Sequence, residues 1–158
     1  MTKQEVKAYG MDYVKADIRS IRKKMDMVGW TPEVIVGLAR GGLIPAVILS
    51  HTYKVPMHAV DWSFRDRNVQ VNSLLKEDFD GKRVLIVDDI VDSGNSILSY
   101  LNQNANDLSG ATDIRVASLV YNINQPAQVD FYGTLIDRRY QKEWFVFFWE
   151  DIDQFHSF

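Results

Sequence analysis

The chain has 158 residues, 46% hydrophobic and 25% charged, which suits one soluble domain with a sizeable core. A net charge of −3 argues against broad nucleic-acid binding, and the absence of cysteine excludes disulfides, thiol nucleophiles and thiolate metal sites. No apolar run is long enough to span a bilayer, and Met1-Thr2-Lys3-Gln4-Glu5-Val6 does not read as a signal peptide, so a reducing cytoplasm is expected.

In chain order, residues 9–28 show helical spacing at Met11, Val14, Ile18, Ile21, Met25 and Val28, with Gly29 as a stop and Pro32 beyond it. Arg22-Lys23-Lys24 reads as the solvated face of this helix. Residues 34–38 form a buried strand, a glycine turn follows, and a helix is expected over 43–53. A strand over 55–62 leads to a polar segment, 63–76, without clear period. Asp80-Gly81-Lys82 turns into a central strand at 83–87. A helix is expected over 96–108, closed by Gly110, then a strand over 114–121, and two short strands, 128–136 and 144–149, around a charged turn. Strands alternating with helices imply right-handed crossovers and a mostly parallel α/β sheet. No internal repeat or linker divides the chain, so the expectation is a single domain, 1–158, with an aromatic-rich cap.

The most informative stretch is the central strand and its continuation, Val84-Leu85-Ile86-Val87-Asp88-Asp89-Ile90-Val91-Asp92-Ser93-Gly94-Asn95-Ser96. A β-branched run ends in two carboxylates at the carboxyl edge of the sheet, where open α/β sheets bind ligands. Gly94 and Asn95 tolerate a tight turn, and the helix N-terminus that follows presents N–H groups to a dianionic phosphate. Asp88 and Asp89 are acceptor-only groups suited to sugar hydroxyls or to hydrated Mg2+. A phosphate cradle beside hydroxyl acceptors describes a phosphorylated ribose. Phosphorylation receivers also carry paired acids after a strand, but after their first strand; here about half of the chain comes before.

This segment resembles the phosphoribosyl pyrophosphate (PRPP) motif of type I phosphoribosyltransferases: an apolar strand, an acid pair, two apolar residues, then aspartate, a hydroxyl residue, glycine, any residue and a second hydroxyl residue. The resemblance implies that family's fold, a central mostly parallel sheet flanked by helices with a small C-terminal hood. It implies that Asp92, Ser93, Gly94, Asn95 and Ser96 hold the 5-phosphate and Asp88 and Asp89 the ribose hydroxyls. Asp92 would manage a proton at the purine N7, so Asp92 and Arg40 are its catalytic candidates. Gly37-Leu38-Ala39-Arg40-Gly41-Gly42 lets backbone approach a ligand beside a permanent positive charge. It is similar to the family's pyrophosphate loop, which implies Ala39, Arg40 and Gly41 as pyrophosphate contacts and a cis peptide near Ala39-Arg40.

Trp144-Phe145-Val146-Phe147-Phe148-Trp149-Glu150 is an aromatic strand that resembles the ending of short hypoxanthine- and xanthine-guanine-type purine enzymes. By that match Trp144 stacks on the base and Phe145 contacts its edge through the main chain. Mg2+ is implied as cofactor, at Asp88, Asp89 and Glu150, mainly through ligand and water. Phe148 stands where the family often has proline. Asn122 stands where purine enzymes usually place a base-reading lysine, and as a donor and acceptor it suits an oxo or an amino edge. The segment 63–76 corresponds to the family's closing loop, with Ser63-Phe64 for the usual Ser-Tyr pair and Arg65 and Arg67 as pyrophosphate candidates. His51, His58 and His156 have no metal spacing.

The expected activity is transfer of ribose 5-phosphate from PRPP to a nucleobase, a 6-oxopurine (hypoxanthine, guanine or xanthine), in purine salvage. The partners are PRPP and the base, without membrane or nucleic acid, in a homodimer or tetramer. Two alternatives stay open: a non-catalytic PRPP sensor on the same fold, for which Arg138-Arg139 and Lys142 offer a local basic patch, or transfer to a non-purine acceptor.

Overall fold

Continuous apolar runs along the central strands fill two cores at once. The computed structural model describes residues 3–62, 76–151 and 153. Its main sheet contains β2 (Val34–Ala39), β3 (Met57–Asp61), β4 (Arg83–Val91), β5 (Asp113–Asn122) and β6 (Phe131–Ile136), in the order β3-β2-β4-β5-β6. Every neighbouring pair is parallel. Because successive strand residues face opposite sides, Ile35, Leu85 and Val87 pack with α1 (Met11–Met27) and α2 (Leu43–Tyr53). Val34, Val36, Val84 and Ile86 pack with α3 (Asn95–Gln103) and α4 (Ala105–Leu108) on the other face. Among the described residues no helix is long and apolar enough to cross a membrane. The expected segment 63–76 lies outside the described residues except for Lys76, which opens a single 3-10 turn, Lys76–Asp78.

The structure corrects several element expectations. The strand expected to stop at Val87 continues through both acids to Val91, because β5 is long enough to keep pairing with it (Asp88 with Ser118, Val91 with Tyr121). The helix expected over 96–108 is two helices. Buried Asn104 leaves helical φ (−110°), and its Nδ2 donates to the Tyr100 carbonyl at 2.9 Å, competing with the helix ladder. The expected start of the first helix at Tyr9 is instead the end of a strand, β1 (Val6–Tyr9). The aromatic strand β7 (Trp144–Phe147) does not turn back on β6. It pairs in parallel with β1, Val6 facing Trp144 and Tyr9 facing Phe147, as a separate two-stranded sheet. The hood is thus assembled from both ends of the described chain. Lys24, expected in solvent, donates to Ser20 Oγ (2.8 Å) and the Tyr132 carbonyl (2.9 Å).

A buried polar knot fastens the hood to the main sheet. Tyr9 is fully buried, and its hydroxyl donates to Asp17 Oδ2; Thr134 Oγ1 donates to Asp17 Oδ1 at 2.7 Å. Gly133 lies so close that a β-carbon there would overlap the Asp17 side chain. Burial pushes the Asp17 carboxyl above its usual range, against the lowering effect of these two hydroxyls. The folded protein therefore holds a proton that the unfolded chain has lost just above pH 4. Stability from this group is complete below the unfolded pKa and is lost as pH rises through the folded one. Asp17→Asn should flatten that decline, which is at most about 1.4 kcal/mol per pH unit, in urea titrations run from pH 4 to 7. An unchanged slope would remove Asp17 as its source.

Candidate active site

Pairing on the two sides of β4 ends at different heights. With β2 it ends at the Gly37–Val87 pair; with β5 it runs to Val91. The strand order reverses here, β2 leading outward to β3 and β4 to β5, so a crevice opens over the end of β2. It is a cleft of about 1320 Å³, and it gathers residues from five separate chain segments.

The first wall is the loop after β4. Asp92, Ser93, Gly94, Asn95 and Ser96 all line the cleft. Gly94 takes a left-handed conformation (φ 82°) packed against Gln125 and Ala127, and α3 starts directly after it with no side-chain cap. Beyond the Asn95 amide, the next amides of its first turn have no side-chain cap, which with the helix dipole favours an anion. Ser93 Oγ accepts from the Asn95 amide at 3.3 Å and holds the turn shut.

The floor is Asp88 and Asp89. Each carboxylate accepts from the following main-chain amide, Asp89 N at 2.9 Å and Ile90 N at 2.7 Å. Burial, and then the neighbouring Asp89 charge, hold the Asp88 carboxyl well above the usual carboxylate range. Asp89 is also pushed up, chiefly by burial and further by Glu150, while hydrogen bonds work in the opposite direction. Such a pair invites hydroxyl donors or a hard cation. The oxygen-only donor set fits Mg2+. Among the described residues no three acidic or imidazole side chains group closely enough to hold a metal alone, so ligand and water oxygens would complete its shell.

Opposite lies the turn after β2. Ala39, Arg40 and Gly41 line the cleft, and the peptide joining Ala39 to Arg40 is cis, as expected. Arg40 is exposed to the opening. A β-carbon at Gly41 would overlap the Asp89 carboxylate, so the glycine is what allows this backbone to reach the acids.

The last wall is the hood. Trp144 is 44% exposed and lines the cleft, whereas Phe145 is buried. Phe147 and Trp149 stack at 4.8 Å between ring centroids. Glu150 Oε2 accepts from the Phe147 amide at 2.7 Å, which fixes the turn after β7 at the rim.

Asn122 departs from expectation. It is buried and does not line the cleft; its Nδ2 donates to the Asp92 carbonyl at 2.9 Å, and its Oδ1 accepts from the Asn124 and Arg138 amides, each at 3.2 Å. Its amide is committed to backbone. Arg138, which sequence reasoning left to a surface patch, lines the cleft and clasps Asp92, Nε to Oδ1 and Nη2 to Oδ2 at 3.0 Å each. Asp61 and Trp62, at the end of β3, also line it and carried no motif. Ser63, Phe64, Arg65, Arg67 and His156 lie outside the described residues.

Residues 11–151 match the phosphoribosyl transferase domain model. The chain is similar to a xanthine-guanine phosphoribosyltransferase of Cereibacter sphaeroides, 33% identical over 100 residues, covering 54% of this chain and 58% of the relative. It is also similar to a hypoxanthine phosphoribosyltransferase of Salmonella typhimurium, 40% identical over 73 residues, 40% of each protein. The matches thus span about half the length of these curated relatives. Among solved structures, a purine phosphoribosyltransferase from Pyrococcus horikoshii superposes with a TM-score of 0.71 at 28% identity, covering 99% of both chains. The expected fold is therefore present, hood included.

Gly94→Ala should cost about 1–2 kcal/mol from the left-handed backbone alone, read as a lower urea midpoint at unchanged m value. Wild-type stability in this variant would mean that the turn relaxes without the glycine.

Proposed function

The chain belongs to the phosphoribosyl transferase domain family, and from that premise we propose that it is a purine-type enzyme. It joins a 6-oxopurine (hypoxanthine, guanine or xanthine) to the ribose 5-phosphate of PRPP and releases pyrophosphate, as in purine salvage. The observation that carries this reading is the convergence of the phosphate loop, the acid pair, the Ala39–Arg40–Gly41 turn and the Trp144–Phe145 wall on one cleft.

In the proposed complex, the loop 92–96 seats the 5-phosphate on the first-turn amides of α3, and Asp88 and Asp89 accept from the ribose hydroxyls. Ala39, Arg40 and Gly41 hold the pyrophosphate, Arg40 with a permanent charge that favours its departure. Asp88, Asp89 and Glu150 would hold Mg2+, mainly through ligand and water, and the ion would supply charge neutralisation to the pyrophosphate. Trp144 stacks on the base and the Phe145 main chain meets its edge. The C1–oxygen bond to pyrophosphate breaks as the C1–nitrogen bond forms on the opposite face. The protein's share is positioning and electrostatic preorganisation. Asp92, paired with Arg138, presents its carboxylate oxygens as acceptors to a proton on the base nitrogen that faces it. We place the reaction in the cytoplasm, in a homodimer or tetramer, as the family implies.

Incubation with PRPP, Mg2+ and a panel of hypoxanthine, guanine, xanthine, adenine and non-purine bases tests this directly. Pyrophosphate should be released with at least one 6-oxopurine. Tight PRPP binding without release for any base would make the protein a sensor, and release only with a non-purine base would change the acceptor class. Asp92→Asn should lower kcat by about a hundredfold while the PRPP KM stays within about threefold. Equal damage to both would take the proton role away from Asp92.

A further inference from the structure

Two side chains bind the phosphate loop to the acceptor wall. Arg138 forks onto the Asp92 carboxylate through Nε and Nη2, both at 3.0 Å. Its Nη1 reaches the other way, donating to the carbonyls of Gln141 (3.1 Å) and Glu143 (2.6 Å), the latter immediately before β7. The guanidinium carbon stands 5.3 Å from the Phe145 ring centroid. Asn122 repeats the link through main chain, donating to the Asp92 carbonyl and accepting from the Arg138 amide. Asp92 is therefore held through both its backbone and its side chain by groups that also set where β7 begins.

We infer that Asn122 and Arg138 are positioning residues that couple the two half-sites, so that seating the sugar phosphate raises affinity for the base, and the base raises affinity for the sugar phosphate to the same degree. This rests on the phosphoribosyl reading above and adds a linkage between its two substrates. A phosphate on the 92–96 loop orders Asp92. The planar fork passes that order to the guanidinium, since a bidentate arginine fixes orientation as well as distance. Through Nη1 the same plane orders the 141–143 backbone and the wall carrying Trp144 and Phe145. The conformational entropy of ordering this path is then lost once, on binding the first ligand, and the second binds with less to lose. Lysine keeps the charge of Arg138 but not the fork or both carbonyl contacts.

Ribose 5-phosphate is the probe, because it lacks the pyrophosphate leaving group and cannot react. Hypoxanthine is titrated calorimetrically into the protein with Mg2+, with and without saturating ribose 5-phosphate. In wild type the sugar phosphate should tighten base binding about tenfold, within the ordinary span of such couplings. Arg138→Lys and Asn122→Ser should bring that factor close to one, while ribose 5-phosphate alone binds each variant within about threefold of wild type. Hydrogen exchange supplies a second readout: ribose 5-phosphate alone should slow the amides of 138–146 in wild type and in neither variant. Thermal melts identify a variant that has failed to fold, in which case the other one decides. Both ligands binding wild type without coupling, or coupling that survives in the folded variants, would overturn the bracket alone. Failure of wild type to bind ribose 5-phosphate at all would overturn the bracket and the phosphoribosyl reading together.

Discussion

The unequal pairing of β4 is the constraint on which the rest depends. Up to Val87 the strand is held on both sides; beyond it only β5 remains as a partner. Residues 88–91 are thus rigid enough to hold carboxylates in place, yet open on one side to a ligand. Had β2 continued alongside, the acids would sit inside a closed sheet. Had β5 stopped with β2, they would lie in a loop. The turn at 39–41 then bends over the vacated edge, and Gly41 is small enough to lie against Asp89.

This geometry works against the stability of the protein in isolation. Two neighbouring carboxylates share a partly enclosed site, and burial raises both pKa values, with the Asp89 charge adding to it at Asp88 and the Glu150 charge at Asp89. Each keeps one main-chain amide as compensation, at 2.9 and 2.7 Å. The remaining lone pairs would suit the hydroxyl donors of the ligand proposed above. A site of this kind stores unfavourable energy in the free protein that binding relieves, a common trade between stability and function.

Much of this was legible in the sequence because the informative residues are local. The apolar runs at 34–38 and 84–87 dictate buried parallel strands, and Gly94 with the small residues around it dictates the loop and the helix start. The failures share a different origin. β1 has only four residues and runs almost directly into α1, so nothing local marks it as a strand. Its identity comes from β7, far away in the chain. The backbone partners of Asn122, Asp92 and Arg138, lie 30 and 16 positions away and leave no local mark in the sequence. Arg138 sits in a charged turn that looks like solvent-facing surface until β6 and β7 diverge and aim it inward.

The pairing of β1 with β7 also orders events during synthesis. Gln4 and Lys142, bonded at the rim of that pair, are 138 positions apart, so the hood closes a loop nearly as long as the chain. As the polypeptide leaves the ribosome, the 92–96 loop and the acid pair emerge well before β7, and β1 waits unpaired until β7 follows. The hood wall is accordingly the last part of the cleft to be built, after the 92–96 loop and the acid pair are already in place.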